Sequence, residues 1–223
     1  MTEIKTIIFD LDDTLSDSQF DELIWRTEIP KAYAKEKGMT FEQAYKEVTT
    51  EYKNLWGKAA GNWRDASFWL THFGLKTTWE DLLSMLHHEI KHFDDVVPVL
   101  EELSKKFKLV IISNAERKFI DAKLKLNHIG KFFVKTYSAS SDFNLKKKEA
   151  QVFKKVCEDF NIAPNELVHI GDEEEYDVTA PKSIGAQAFL LCRKGDKKSD
   201  FKDLHDFKKA VLSTVTREGN KND

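Results

Sequence analysis

The segment Ile7-Ile8-Phe9-Asp10-Leu11-Asp12-Asp13-Thr14-Leu15 sets three carboxylates within four positions at the end of an apolar run. Like charges this close repel one another, and burying them is costly unless a cation or hydrogen bonds compensate. Two other apolar runs end in the same way. Leu109 to Ile112 is followed by Ser113-Asn114, and Leu167 to Gly171 by Asp172, with Glu173, Glu174, Glu175 and Asp177 close behind. Neighbouring strands lie about 4.8 Å apart, so three such ends can converge on one small site. A site lined by Asp10, Asp12 and Asp172 offers only oxygen ligands. That favours a hard cation, with Mg²⁺ the usual choice where phosphate is also bound.

The elements that would position these residues follow from periodicity. Lys5 to Phe9 reads as a buried strand. A helical stretch then runs from Asp17 to Phe93 with almost no strand signal. Pro30 is expected to kink or split its first helix, and Gly38 to end it. Thr40 to Gln43 reads as a capping box opening a helix that reaches Trp56 and stops at Gly57. Further helices are expected over Asn62–Phe73 and from Thr77 to His92. Beyond Phe93, helix and strand alternate to the end, which implies a parallel sheet with crossover helices. A helix over 201–215 and a disordered tail close the chain. The expected fold is therefore α/β: a Rossmann-like, doubly wound parallel sheet (1–16 and 94–223) interrupted by an all-helical cap (17–93).

Composition narrows the field. The 223 residues are 41% hydrophobic and 33% charged, with 35 basic against 38 acidic side chains and a net charge of −3. Nothing in that balance points to nucleic acid, and the run Lys146-Lys147-Lys148 is too short for a nucleic-acid patch in a net-acidic chain. No window is long and apolar enough to span a membrane, and the N-terminal apolar run is too short for a signal-peptide core. Cys157 and Cys192, far apart and without metal-ligand spacing, read as free thiols in a reducing cytoplasm.

The polar strand ends resemble the four motifs of the haloacid dehalogenase (HAD) superfamily, in family order. "FDLDDTL" is similar to motif I, "IISN" to motif II, "LKKKEAQVF" to motif III and "HIGDEEEYD" to motif IV. The helical insertion after motif I resembles the type C1 cap. The resemblance implies a Mg²⁺-dependent phosphatase acting on a small phosphorylated metabolite. Asp10 would be the nucleophile forming an aspartyl-phosphate, and Asp12 the general acid, then base. Mg²⁺ would be held by Asp10, the Asp12 carbonyl and Asp172. Ser113, Asn114 and a motif III lysine would bind the phosphoryl oxygens. Thr14 would hydrogen-bond within the loop and steady Asp12, and Asp177 would orient water or the lysine from behind. Counting back from Val152-Phe153 assigns the motif III role to Lys147, with Lys148 standing where the family usually has Pro. An acid at position 12 favours an alkoxide leaving group over a halide.

Other readings stay open. A phosphomutase would use the same acids. A phosphonatase would want a Schiff-base lysine from the cap, and none stands out. A non-enzymatic binding protein on the same fold would not need Asp12. "HEIKH" (His88 to His92) matches H-E-x-x-H, and on a helix both imidazoles would share a face as in a zinc peptidase. The five tryptophans, Trp25, Trp56, Trp63, Trp69 and Trp79, read mostly as cap core, and Arg26 and Arg64 as surface residues that could meet an anionic substrate.

Overall fold

The computed structural model describes residues 3–55, 64–195 and 198–219. Five parallel strands form one sheet in the order β3-β2-β1-β4-β5. β1 (Thr6–Phe9) is central, flanked by β2 (Lys108–Ser113) and β4 (Leu167–Gly171), with β3 (Lys135–Ser138) and β5 (Gln187–Leu190) outside. Thr6 registers with Lys108 on one side and Leu167 on the other, which brings the carboxyl ends of all three inner strands level. Every residue of β1 is buried, as expected of a strand covered on both faces. The covering helices include α6 (Val96–Leu103), α7 (Arg117–Leu126), α9 (Ala150–Phe160) and α11 (Leu204–Gly219), with short turns at α8 (Ala139–Phe143) and α10 (Ala180–Lys182).

Between β1 and α6 lies the helical insertion: α1 (Gln19–Leu23), α2 (Ile29–Lys37), α3 (Phe41–Leu55), α4 (Ala66–His72) and α5 (Trp79–Leu86). α1 and α2 are joined by a π-helical segment, Ile24–Glu28, so Pro30 does not split the helix. The ring sits near the start of α2, where a proline's missing N–H costs least, and the wider turn before it absorbs the change of register. Gly38 ends α2 in the left-handed region at φ 65°. The Thr40 to Gln43 capping box is present: Thr40 N donates to Gln43 Oε1 at 3.0 Å, and Gln43 N to Thr40 Oγ1 at 3.3 Å. Thr78 and Asp81 make a second box at α5. Trp56, Gly57, Asn62 and Trp63 lie outside the described residues, as does the end of the tail, 220–223. Within that tail the helix continues to Gly219 rather than stopping near 215.

The insertion leaves and rejoins the sheet at one place. Phe93 N donates to the Leu15 carbonyl, Asp17 N to the Lys91 carbonyl at 3.1 Å, and Ser16 Oγ to the same Lys91 oxygen at 2.8 Å. One continuous apolar cluster runs from Ile7, Phe9 and Ile111 in the sheet through Leu15, Phe20 and Ile24 to Trp69, Trp79 and Leu82. Phe20 is fully buried at the junction, edge-on to Trp79 (6.2 Å between centroids) and to Phe119 (5.9 Å). Phe20→Ala should therefore destabilise the whole chain by about 3–5 kcal/mol in urea unfolding. A loss confined to the insertion, with the sheet unfolding at its normal midpoint, would show two independent cores.

Candidate functional site

Asp10 is the first residue past β1. Its backbone N–H donates to the Ile170 carbonyl at 3.0 Å, and the residue is only 4% exposed. The chain then turns sharply: Asp13 takes φ 55°, and the Leu15 and Ser16 N–H groups both donate to the Leu11 carbonyl. Asp172 follows β4. Oxygens of Asp10, Asp172 and Asp177 lie within 4.8 Å of one another. The expected convergence of strand ends is thus present, with Asp177 closer in than its sequence position suggests. Gly171 permits the approach, since a Cβ there would sit 2.7 Å from the Asp177 Cβ.

Electrostatics show what this crowding costs. Burial pushes the Asp10 carboxyl well above its usual range; Lys148 opposes the rise, and Asp177, Asp172 and Asp12 add to it. Asp172 is pushed up to about 7 by burial and then by Asp177. Asp177 goes the other way: burial opposes its charge, but Lys148 and His169 outweigh burial and hold it below the usual carboxylate range. The donor set is all oxygen and its repulsion is only partly relieved by protein cations, which suits a hard divalent ion.

The protein's own counter-charge is Lys148. Its ammonium is 1% exposed, bonds Asp10 and lies 2.5 Å from Asp177 Oδ1. Burial alone would lower its pKa, but Asp10 and Asp177 raise it above normal, so it stays charged. This corrects the expectation for Lys147, which instead lies 2.8 Å from Glu173 Oε1 and over the Tyr176 ring at 4.8 Å. The lysines are not on a helix: α9 starts only at Ala150, and Lys148 N donates to Asn114 Oδ1 at 2.6 Å. That bond holds the Lys148 backbone where its side chain reaches Asp10, while the Lys147 side chain goes to Glu173 at the wall of the neighbouring cavity.

Other expected residues fall as follows. Ser113 is buried at the end of β2, where its Oγ accepts the Ala115 N–H at 3.0 Å. The Asn114 side chain is engaged at both ends, with Lys148 N and with Glu173 Oε2 at 3.2 Å, so it serves the loops around the site. Thr14 is buried, but its hydroxyl has no hydrogen-bond partner and does not hold Asp12. Its carbonyl accepts Arg193 Nε at 2.9 Å, and Arg193 in turn clamps Asp95. What holds Asp12 is Lys123 on α7, fully buried and bonded to Asp12 Oδ1 and, at 2.6 Å, to Asp21 Oδ2 on α1. The sequence carried a signal for it. Lys123 stands four residues after Phe119 and three after Ile120, on the apolar face of α7, where a charge is out of place. His169, buried on β4 with Nε2 2.8 Å from Asp177 Oδ1, was also missed.

The His88/His92 reading is overturned. α5 ends at Leu86, His88 falls in a single 3₁₀ turn, and His92 bridges Ser16 in extended chain. The two rings share no helix face. His88 pairs with Glu89, and His92 Nδ1 with the Phe93 carbonyl.

A cavity of about 660 Å³ opens between the insertion and the sheet. Asp12, Lys147 and Phe119 line its sheet side, and Asp21, Trp25 and Tyr52 its helical side.

The family model of the haloacid dehalogenase-like hydrolases matches residues 4–185, and the chain belongs to that family. Among curated relatives, a phosphoglycolate phosphatase of Vibrio vulnificus (strain CMCP6) is 28% identical over 194 residues, 85% of this chain and 84% of that protein. The GMP/IMP nucleotidase YrfG of Escherichia coli (strain K12) is 23% identical over 178 residues, 77% and 76% of the two chains. Among solved structures, a HAD phosphatase from Thermococcus onnurineus superposes with a TM-score of 0.80 at 25% identity, covering 93% of this chain and 98% of that one. Among the described residues no helix is long and apolar enough to cross a membrane.

Raised carboxyl pKa values have a measurable consequence. Between about pH 4 and 7 the folded, metal-free protein binds more protons at Asp10, Asp172 and Asp21 than the unfolded chain does. Its stability should therefore fall as pH rises through that window. Urea midpoints should be higher near pH 5 than near pH 7.5, and Asp172→Asn should flatten the slope. A midpoint that climbs with pH would contradict the assignment.

Proposed function

We propose that the protein is a Mg²⁺-dependent phosphatase that hydrolyses small phosphate monoesters through an aspartyl-phosphate on Asp10. The observation that carries this reading is a nucleophile-ready carboxylate beside a buried ammonium, with a second carboxylate two residues on, facing a substrate-sized cavity. Its relatives named phosphoglycolate phosphatase and GMP/IMP nucleotidase support the same substrate class. Two buried, unpaired cysteines fit the reducing cytoplasm.

In this reading Lys148 holds the Asp10 carboxylate and offsets charge on the incoming phosphoryl group. Asp10 attacks phosphorus; the bond to the leaving oxygen breaks as Asp12 delivers a proton to it. Asp12, now a base, takes a proton from water, which attacks phosphorus and releases Asp10. Ser113 at the end of β2 would bind a phosphoryl oxygen, and Asp177, with His169 behind it, would keep Lys148 aimed. Asp10, Asp172 and the Asp12 carbonyl would hold Mg²⁺, which supplies charge neutralisation for the phosphate when bound. The helices from 19 to 89 act as the cap that selects the leaving group, and the cavity they share with the sheet is within the usual size range of small-molecule sites.

A panel of phosphorylated metabolites and aryl phosphates, with Mg²⁺ and with EDTA, tests the reading. Turnover should require the metal and vanish in Asp10→Asn. No turnover of any ester would end the proposal. Lys148→Met should lower stability and, in the fraction that remains folded by urea titration, lower kcat by at least a hundredfold, whereas Lys147→Ala should cost less than tenfold and leave stability nearly unchanged. The reverse ranking would return the role to Lys147.

A further inference from the structure

The Lys123 ammonium is the least expected charge in the molecule. It sits on the apolar face of α7, fully buried, among Phe119, Ile120, Ala122 and Leu124. It joins Asp12, in the loop after β1, to Asp21, on the first helix of the insertion. Burial would lower its pKa, but Asp12 and then Asp21 raise it above normal, so the ammonium remains charged. A buried ion pair of this kind adds little net stability, since well-packed apolar residues often do as well in its place. Stability alone therefore gives no reason for the lysine.

The geometry does give one. Asp12 has to hand a proton to a leaving oxygen and take one back from water, so its orientation matters as much as its presence. Lys123 ties down Oδ1, leaving Oδ2 free for proton exchange on the cavity that Asp12 lines. Asp21 lines the same cavity from the insertion side. Its Oδ2 lies 2.6 Å from the Lys123 ammonium. We infer that Lys123 is a positioning residue for Asp12, and that Asp21 makes this positioning depend on how helix α1 is seated against the sheet. The insertion would then do more than enclose substrate: moving α1 away withdraws one of the two anchors that aim the ammonium. This inference rests on the phosphatase reading above.

Leaving-group dependence separates this role from a purely structural one. A general acid matters most when the leaving alkoxide is a poor one and little when it is a good one. The experiment measures kcat and KM for the wild type, Lys123→Met, Asp21→Asn and Asp21→Leu on a series from p-nitrophenyl phosphate through phenyl phosphate to alkyl phosphates, with urea midpoints recorded alongside. In Lys123→Met, kcat for alkyl phosphates should fall at least tenfold further than kcat for p-nitrophenyl phosphate, with KM nearly unchanged. Asp21→Leu should steepen the same dependence by a smaller factor. Asp21→Asn, whose amide oxygen can still accept from Lys123, should restore most of it. Equal losses along the series, or none, would overturn the inference while leaving the phosphatase reading intact. Absence of turnover by the wild type on every ester would instead defeat that reading, and this inference with it. If Lys123→Met fails to fold, the two Asp21 variants decide: a slope unchanged in Asp21→Leu overturns the proposal.

Discussion

The site depends on a single buried ammonium. Lys148 lies between Asp10 and Asp177, and without it two nearly inaccessible carboxylates would face each other with a third, Asp172, beside them. Repulsion of that kind is not tolerated inside a protein unless a cation answers it. Much of the local architecture serves to hold that cation in place. Asn114, at the end of β2, takes the Lys148 N–H. Gly171, at the end of β4, lets Asp177 approach the strand. His169 backs Asp177 from within the sheet. Three strands thus contribute to one ammonium, and the level register of β1, β2 and β4 makes that possible.

Lys123 answers the same kind of problem one layer further out. Lys148 neutralises carboxylates at the strand ends, whereas Lys123 neutralises a pair that spans the sheet and the helical insertion. The two lysines divide the acidic residues between them: Asp10 and Asp177 with one, Asp12 and Asp21 with the other. Asp172 makes no direct ion pair with either, and although Lys148 draws its carboxyl down, burial and Asp177 still push it up to about 7.

The sequence made the framework legible. Apolar runs ending in Asp10, Ser113 and Asp172 disclosed both the parallel sheet and the edge at which its chemistry collects, because burial on both faces forces such runs. The Thr40 to Gln43 capping box and Gly38 marked helix ends from local backbone chemistry alone. The errors arose where tertiary contacts decide. The lysine register was counted back from Val152-Phe153, whereas a hydrogen bond that Lys148 N donates to Asn114, 34 positions earlier in the chain, sets which lysine meets Asp10. H-E-x-x-H was misleading because α5 ends before it, drawn off into the pairing with Ser16. Lys123 and Asp21 meet only in three dimensions, 102 positions apart.

The central place of β1 also bears on how the chain acquires its structure. β1 is made first, yet both its neighbours, β2 and β4, are encoded far downstream, beyond the whole insertion. During synthesis the sequence Thr6-Ile7-Ile8-Phe9 has no strand to pair with until Lys108 and its successors emerge, and its second edge stays open until Leu167 does. Non-local pairing of this kind is slow, because loop closure precedes any reward from contact. In the interval the nascent chain carries an unpaired strand edge with three consecutive large apolar residues, the kind of surface that chaperones recognise and aggregates recruit. The arrangement that lines up three strand ends for catalysis thereby leaves the earliest of the five strands with one edge open until β4 is made.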